Sequence, residues 1–255
     1  MFPLYDNVPS LRVPLVTLTV IVMNAVVFVW SQGLLPMDQQ ALFFRWGFVP
    51  ARIGQLFTRD TITVILHADA QPPGPSGEIP DQTISLAPRP VEIALTLVTY
   101  LFLHVDLLHL VGNIWFLWLF GKSVEDRLGH AGYLILYLFG GLAAALAQGL
   151  VFLQSPVPII GASGAIATVL GAYAITWPYA RIHTLVFVAL VQLPAYLFLG
   201  GWFLYQIVSG IVPSDEQTVQ RIAWWAHVGG FVTGVLLMRW FFALFSKERY
   251  TARSK

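Results

Sequence analysis

The chain has no cysteine and few charged residues. The absence of cysteine excludes disulfides, thiolate metal ligands and a cysteine nucleophile. Asp, Glu, Lys and Arg make up 11% of the 255 residues, against about 25% in a soluble domain, while 57% of the residues are hydrophobic. The basic residues are scattered and the formal net charge is +1, so no basic stripe is available for nucleic acid. The composition therefore indicates a membrane protein that does not bind nucleic acid.

Long apolar runs account for most of the sequence. A hydrocarbon core of ~30 Å needs about 20 helical residues, and six runs approach that length: 14–31, 104–121, 131–153, 161–177, 185–210 and 223–245. No clear cleavage site follows the first run, so we interpret it as a retained anchor rather than a signal peptide. The sequence thus predicts an all-α membrane protein, with a six-helix domain over 14–245 and short tails at 1–13 and 246–255.

A polar stretch at 32–92 separates the first two runs. Its Pro/Gly-rich segment 71–77 cannot be helical throughout, so we expect a long loop outside the membrane. Residues 39–57 mix apolar and basic side chains as a short interfacial helix does, although Pro50 would interrupt it.

Lys and Arg in the short loops indicate the orientation of the chain. They accumulate on the cytoplasmic side of a membrane, and one side here holds Lys122, Arg127, Arg181, Arg239 and the basic C-terminal tail. The short loops of the other side, 154–160 and 211–222, contain only Arg221. Both termini are therefore predicted to be cytoplasmic and the loop 32–92 extracytoplasmic. Loop charge and the absence of an organellar presequence favour a bacterial cytoplasmic membrane.

Three runs that pass from outside to inside have polar residues near their starts: Ser163, His227, and the pair His109 and Asn113. His109 and Asn113 are four residues apart and so share one helix face. Ser163 falls in the first turn of its helix, where unpaired N–H groups favour an oxyanion. Two prolines in the loop 154–158 place the start of this helix below the membrane surface, which indicates a water-filled pocket open to the outside. We therefore predict a serine nucleophile with a histidine base, and a dyad rather than a triad.

Other interpretations of these residues stay open at this stage. A lone His or Asn in a span is often interhelical glue, and small residues at regular spacing are typical of ordinary helix packing; the sequence has Gly161, Gly164, Gly230 and Gly234. His104 and His109 are five apart without an intervening Glu, unlike the zinc motif H-E-x-x-H, so no metal is expected. Asp106 is expected at the outer mouth, in contact with water or headgroups. His67, His130 and His183 are expected in solvated loops.

The chain resembles the rhomboid family of intramembrane serine proteases from about residue 44 to residue 237. The resemblance rests on five motifs: RWGFVP at 45–50, H-x-x-x-x-H-x-x-x-N at 104–113, VEDRLG at 124–129, GASG at 161–164 and AHVGG at 226–230. It implies a six-helix bundle in which Ser163 is the nucleophile and His227 the general base. It also implies that His109, Asn113 and the Ser163 backbone N–H bind the oxyanion.

The same resemblance implies several structural roles and partners. His104 would help to hold the first loop, and Glu125 with Arg127 would tie down the cytoplasmic end of the second helix. The substrates would be single-pass transmembrane proteins within the lipid bilayer, and no cofactor or metal would take part.

Two other functions remain possible for the chain. A catalytically inactive relative that only binds membrane proteins would be free to lose Ser163 or His227, but both are present. A channel or transporter would show inverted repeats, and no repeat is visible in the sequence.

Three residues at two sites depart from the pattern of the family. Leu95 and Thr96 stand where many relatives have a Trp-Arg pair, which changes how the first loop is anchored. Ala167 stands where some relatives have a tyrosine beside the catalytic histidine, so Trp224 or Trp225 is expected to stack on the imidazole instead.

Overall fold

The computed structural model describes residues 2–66, 82–212 and 222–251, with side chains described as far as residue 243. The segment 71–77, His67, Arg221 and the basic side chains of the C-terminal tail lie outside this part. The helices are α1 (Leu15–Gln32), α2 (Pro36–Trp46), α3 (Arg52–Thr58), α4 (Pro90–Thr99), α5 (Leu107–Phe116), α6 (Lys122–Val151), α7 (Ser163–Thr176), α8 (Ala195–Ile211) and α9 (Trp224–Thr251). The strands are β1 (Phe2–Asp6), β2 (Ile62–Leu66), β3 (Gln82–Leu86), β4 (Arg181–Val186) and β5 (Ala189–Pro194).

Apolar helices dominate the described part of the chain. Three stretches are long and apolar enough to cross a membrane, Leu15–Gln32, Leu107–Val151 and Trp224–Ala243, and three shorter apolar helices are Pro90–Phe102, Ser163–Thr176 and Ala195–Ile211. A π-helical turn, Leu117–Gly121, joins α5 to α6. The stretch Leu107–Val151 contains a break at Gly129, where φ is 72° and ψ 165°, so its two halves match the runs predicted at 104–121 and 131–153.

Helix α7 lies at the centre of the bundle. Its 14 residues span roughly 21 Å, well short of a hydrocarbon core of ~30 Å, and every residue from Gly164 to Tyr173 is buried. Both α6 and α9 pack against it. Glycine makes these contacts possible: a Cβ atom at Gly230 would collide with the carbonyl oxygen of Gly164, and one at Gly234 with that of Thr168. The backbones of α7 and α9 therefore touch directly, as small-residue spacing predicts.

The expectation of an all-α protein is wrong for two small sheets. One has the antiparallel order β1-β4-β5 and the other is the β2-β3 hairpin. The run 185–210 was expected to be helical throughout, but α8 begins only at Ala195, because Pro194 has extended backbone (φ −65°, ψ 145°). Ahead of it, Phe187 has a positive φ of 55° in the turn between β4 and β5. Strand β4 pairs with the distant β1, a contact that local hydropathy does not reveal.

The first loop is more ordered than expected over its described residues. It contains two helices, α2 and α3, separated at Gly47–Ala51, so Pro50 lies in the interruption that was predicted for it. Strands β2 and β3 pair from Ile62 with Leu86 to Leu66 with Gln82. Met37 and Leu66 form a small core of their own under this region.

Glu125 connects α6 to the start of α1. Its two carboxylate oxygens accept hydrogen bonds from the backbone N–H groups of Val16 and Thr17, both at 2.8 Å, and from the Thr17 hydroxyl at 2.6 Å. Glu125 thus caps the start of α1, where a negative charge is favourable. The Arg127 guanidinium lies 5.4 Å from the ring centroid of Phe242 on α9. The role expected for Glu125 and Arg127 at the cytoplasmic end of the second helix stays a prediction.

The two described histidines that were expected in solvated loops lie in regular structure. His130 is within α6, and its Nδ1 lies 2.6 Å from Glu125 Oε1. His183 lies on β4, where its ring stacks on Tyr5 of the neighbouring strand at a centroid distance of 4.1 Å.

The contact between α7 and α9 leads to a stability prediction. Gly234→Ala places a methyl group against the Thr168 carbonyl, so we expect it to destabilise the fold by about 1 to 3 kcal/mol, the usual cost of overpacking. Gly201→Ala is the matched control, because a Cβ atom at this helical position meets nothing within 4 Å and should be neutral or stabilising. Thermal unfolding in detergent measures both variants, and equal melting temperatures would contradict the proposed contact.

Candidate active site

Ser163 and His227 are brought together by the packing of α7 on α9. Ser163 is the first residue of α7, and His227 lies in the first turn of α9. The distance from Ser163 Oγ to His227 Nε2 is 2.8 Å, a hydrogen-bond length. Both side chains are half-buried. This is the mutual geometry that a hydroxyl nucleophile and its base require.

The other ring nitrogen of His227 has a partner that the sequence analysis missed. His227 Nδ1 lies 2.7 Å from Oε1 of Gln206 on α8. Gln206 is only 3% exposed. A buried amide in an otherwise apolar helix was the available signal, because polar residues inside a span are costly and often functional.

Aromatic rings surround the imidazole of His227. Trp202 of α8 has its centroid 5.9 Å away at a tilt of 40°, and Trp224 meets the ring edge-on at 6.3 Å. Trp225 was the other expected neighbour, but its indole faces Gly210 instead. Ala167, which stands where some relatives have a tyrosine, is fully buried and lies against Gly230 of α9. This close contact leaves no room for a tyrosine ring at position 167.

His109 and Asn113 border the backbone that leads to Ser163. Gly161 has a φ of +113°, and a Cβ atom built there would lie 2.7 Å from both Cε1 and Nε2 of His109 and 3.8 Å from Nδ2 of Asn113. Only glycine suits this conformation and this spacing. Asn113 donates one amide hydrogen to the His109 carbonyl at 3.0 Å, which leaves its second amide hydrogen available.

Two residues near His109 make contacts that the sequence analysis did not specify. His104 is fully buried, and its ring lies edge-on to that of His109 at 5.0 Å. Among the described residues its ring nitrogens have no hydrogen-bond partner, and its expected role in holding the first loop stays a prediction. Asp106 is exposed, as expected, and it also has a structural role. Its carboxylate accepts a hydrogen bond from the His109 backbone N–H at 2.7 Å, and it is the N-cap of α5.

An irregular segment before α7 is held by the first loop. Phe48 and Ile159 exchange two backbone hydrogen bonds of 3.0 and 2.8 Å, and the Ala51 N–H donates to the Ser155 carbonyl at 3.0 Å. These bonds satisfy backbone groups that no helix pairs, which is a condition for irregular backbone at membrane depth. A Cβ atom at Gly47 would lie 2.9 Å from Ile160 Cγ2, so the predicted motif at 45–50 packs directly on this segment.

Arg52 and Gln55 hold the first loop in place, although this chain lacks the Trp-Arg pair that many relatives have at positions 95 and 96. Arg52 is 2% exposed; it reaches the Ala87 carbonyl at 3.4 Å, and its Nη2 lies 3.9 Å from Glu92. Burial lowers the pKa of Arg52, which Glu92 partly opposes, and the guanidinium remains charged. Gln55 adds a hydrogen bond to the Leu86 carbonyl at 2.8 Å. Arg52 and Gln55 thus connect α3 to the segment ahead of α4.

A cavity of about 1690 Å³ opens between these elements, and its lining includes Ser163, His227, His109, Asp106, Gln148 and Ile159. Gln148 is a second residue that the sequence analysis missed. Its Oε1 accepts hydrogen bonds from the backbone N–H groups of Trp225 and Ala226, at 3.0 and 3.2 Å. Gln148 therefore caps the helix that holds His227. Among the described residues, no group of three or more His, Asp or Glu side chains is arranged to hold a metal.

The family model of the rhomboid domain matches residues 92–244, more than half of the chain. The chain belongs to the rhomboid family. Members of this family are generally intramembrane serine proteases, although some rhomboid-like proteins are inactive. Family membership and the apolar helices make the chain an integral membrane protein.

Several rhomboid relatives are similar in sequence. The mitochondrial presenilin-associated rhomboid-like protein of Homo sapiens is 30% identical over 156 residues, covering 58% of this chain and 38% of its own length. The chloroplastic rhomboid-like protein 11 of Arabidopsis thaliana is 32% identical over 158 residues, covering 55% and 50%. The rhomboid protease GluP of Bacillus subtilis (strain 168) is 41% identical over 76 residues, covering 30% and 14%. The matches span half or less of each relative. The mitochondrial and chloroplastic names of the first two do not support the predicted bacterial membrane.

The cap on α5 is open to a direct test. Asp106→Ala removes the acceptor of the His109 N–H, so we expect a loss of about 1 kcal/mol in stability, the usual cost of an N-cap. Asp106→Asn keeps an acceptor and should lose much less. Thermal unfolding compares the two variants with the parent; equal losses for alanine and asparagine would rule out capping as the role of Asp106.

Proposed function

We propose that this rhomboid is an active intramembrane serine endopeptidase that uses Ser163 and His227 as a catalytic dyad. The observation that supports the proposal most directly is the 2.8 Å contact between Ser163 Oγ and His227 Nε2 at the wall of a cavity. A hydroxyl is a weak nucleophile unless a base accepts its proton. The proposed base is His227, whose Nε2 lies within hydrogen-bond distance of the hydroxyl.

The reaction begins when Ser163 Oγ attacks the carbonyl carbon of a peptide bond and His227 Nε2 takes the hydroxyl proton. The tetrahedral intermediate collapses as the C–N bond breaks, and the imidazolium returns the proton to the leaving amine. An ester between Ser163 and the substrate remains. A water molecule from the cavity then attacks the ester carbonyl while His227 accepts a proton from it. The bond between the acyl carbon and Ser163 Oγ breaks, the imidazolium returns the proton to Oγ, and the acid product leaves.

The developing oxyanion needs donors close to Ser163. The proposed set is the Ser163 backbone N–H at the start of α7, the ring of His109 and the second amide hydrogen of Asn113. The position of both side chains beside Gly161 supports this assignment. One oxyanion donor is typically worth about 3 to 4 kcal/mol of transition-state stabilisation.

The membrane arrangement is the second part of the proposal. Six spans within 14–245 place both termini in the cytoplasm and the cavity on the extracytoplasmic side, where water can reach Ser163. The substrates are single-pass transmembrane proteins. A helix must expose its backbone to be cut, so helix-weakening Gly or Pro near the scissile bond is expected in them. A bacterial cytoplasmic membrane remains a prediction for the compartment.

The dyad is tested with purified protein in lipid vesicles that contain a single-pass transmembrane substrate. Ser163→Ala and His227→Ala should each abolish cleavage and labelling by a serine-directed fluorophosphonate, because each removes an atom that the acylation step uses. Ser209→Ala on α8 is the matched control and should retain both. Cleavage that persists in folded Ser163→Ala protein would exclude Ser163 as the nucleophile.

The membrane orientation can be tested by labelling single introduced cysteines, because the chain has no cysteine of its own that would react. Phe57 and Tyr179 are exposed and lie on opposite sides in the proposed topology. In intact cells a membrane-impermeant maleimide should label Phe57→Cys, whereas Tyr179→Cys should react only after permeabilisation. The reverse pattern would overturn the orientation, and labelling of both in intact cells would overturn the number of spans between them.

A further inference from the structure

The proposed dyad needs more than a short distance between Ser163 and His227. A neutral imidazole has its proton on one of two nitrogens, and only the form with the proton on Nδ1 leaves Nε2 free to accept the serine hydroxyl. The ring can also turn about its bond to Cβ. Some group must therefore fix both the tautomer and the orientation of His227.

Gln206 meets this requirement. Its Oε1 lies 2.7 Å from His227 Nδ1, and an amide oxygen can only accept, so it stabilises the tautomer that has the proton on Nδ1. Nε2 then accepts the Ser163 hydroxyl at 2.8 Å. The two hydrogen bonds are mutually consistent: the opposite amide orientation would place an N–H against Nδ1 and leave the proton on Nε2, where the base is blocked.

The surroundings of Gln206 restrict its orientation. The side chain is 3% exposed and comes from α8, whereas His227 belongs to α9. Trp202 lies one helical turn before Gln206 on the same face of α8, and its ring borders the imidazole at 5.9 Å. One face of α8 thus supplies both a hydrogen bond to the imidazole and an aromatic neighbour for it.

A glutamine is a physically reasonable choice at this position. Serine hydrolases in water place a carboxylate behind the histidine, but a charged side chain inside a membrane span is expensive. An amide supplies the acceptor oxygen without a buried charge. It fixes the tautomer, while it gives less electrostatic support than a carboxylate to the imidazolium formed during the reaction.

We infer that Gln206 is the positioning residue of this site, and that it holds His227 in the tautomer and orientation from which the imidazole accepts the Ser163 proton. The inference rests on the proposed function and deepens it, since it adds to the dyad a residue that orients His227, with Ser163, His227 and Gln206 hydrogen-bonded across three helices. A purely structural role would make Gln206 a hydrogen-bonded link between α8 and α9. The two roles predict different measurements.

The test compares Gln206→Met, Gln206→Glu and the control Leu204→Met. Methionine keeps a similar length but has no strong acceptor, glutamate keeps an acceptor, and Leu204 is an exposed α8 residue outside the site. Fluorophosphonate labelling rates and the kcat and KM for a transmembrane substrate are measured in vesicles. We expect Gln206→Met to lower the labelling rate and kcat by about 10- to 100-fold, the range found for other residues that orient a functional histidine, with KM unchanged. Gln206→Glu and Leu204→Met should remain within a few-fold of the parent.

A readout independent of activity is the ¹⁵N NMR spectrum of histidine-labelled protein, assigned with the His227→Ala variant. The parent should have its His227 proton on Nδ1, and Gln206→Met should move population to the Nε2 tautomer. A parent spectrum with the proton on Nε2 overturns the inference, as does a folded Gln206→Met protein with unchanged labelling and tautomer. Equal losses for the methionine and glutamate variants with a raised KM would assign Gln206 to helix packing alone. If the parent never labels at Ser163, the proposed function fails, and the tautomer shift still decides whether Gln206 positions the ring.

Discussion

The direct backbone contact between α7 and α9 is the constraint on which the rest of the site depends. Gly230 and Gly234 bring α9 against the carbonyl groups of α7, and Ser163 and His227 occupy the first turns of these two helices. A side chain between the helices would separate them by ångströms, more than a hydrogen bond tolerates. The glycines therefore both pack the helices and bring the proposed dyad together, and the two interpretations of the small-residue spacing describe one arrangement.

A second constraint is that polar groups inside an apolar helix bundle need hydrogen-bond partners. The backbone ahead of α7 is irregular, and its hydrogen bonds are completed by the first loop through Phe48 and Ala51. Other polar groups near the site also have hydrogen-bond partners. Gln148 accepts from N–H groups at the start of α9, Asp106 accepts from an N–H group at the start of α5, and Gln206 contacts the His227 ring. Neutral amides supply most of these contacts close to the dyad, which avoids unpaired charge where water is scarce.

The sequence was sufficient for the parts of the protein that depend on local pattern. Apolar runs predicted most of the membrane helices, and four polar residues at matching depth indicated the cavity that Ser163, His227 and His109 line. The strands β1, β4 and β5 could not be predicted this way, because the pairing of Phe2–Asp6 with Arg181–Val186 joins segments far apart in the chain. Gln206 was missed for a similar reason. Its relation to His227 exists only once α8 packs on α9, and a single polar residue in a hydrophobic run gives no indication of its partner.

The pairing of β1 with β4 also limits the order in which parts of the fold can form. Strand β1 precedes its hydrogen-bonding partner β4 by about 180 residues, so it is synthesised well before that partner. The contacts of this strand with the bundle, from the Pro3 carbonyl to the Trp115 indole and from Asp6 to the Tyr173 hydroxyl, likewise involve later segments. Because contacts between segments so far apart in the chain form slowly, strand β1 can complete its hydrogen bonds only after α5, α7 and β4 have been made.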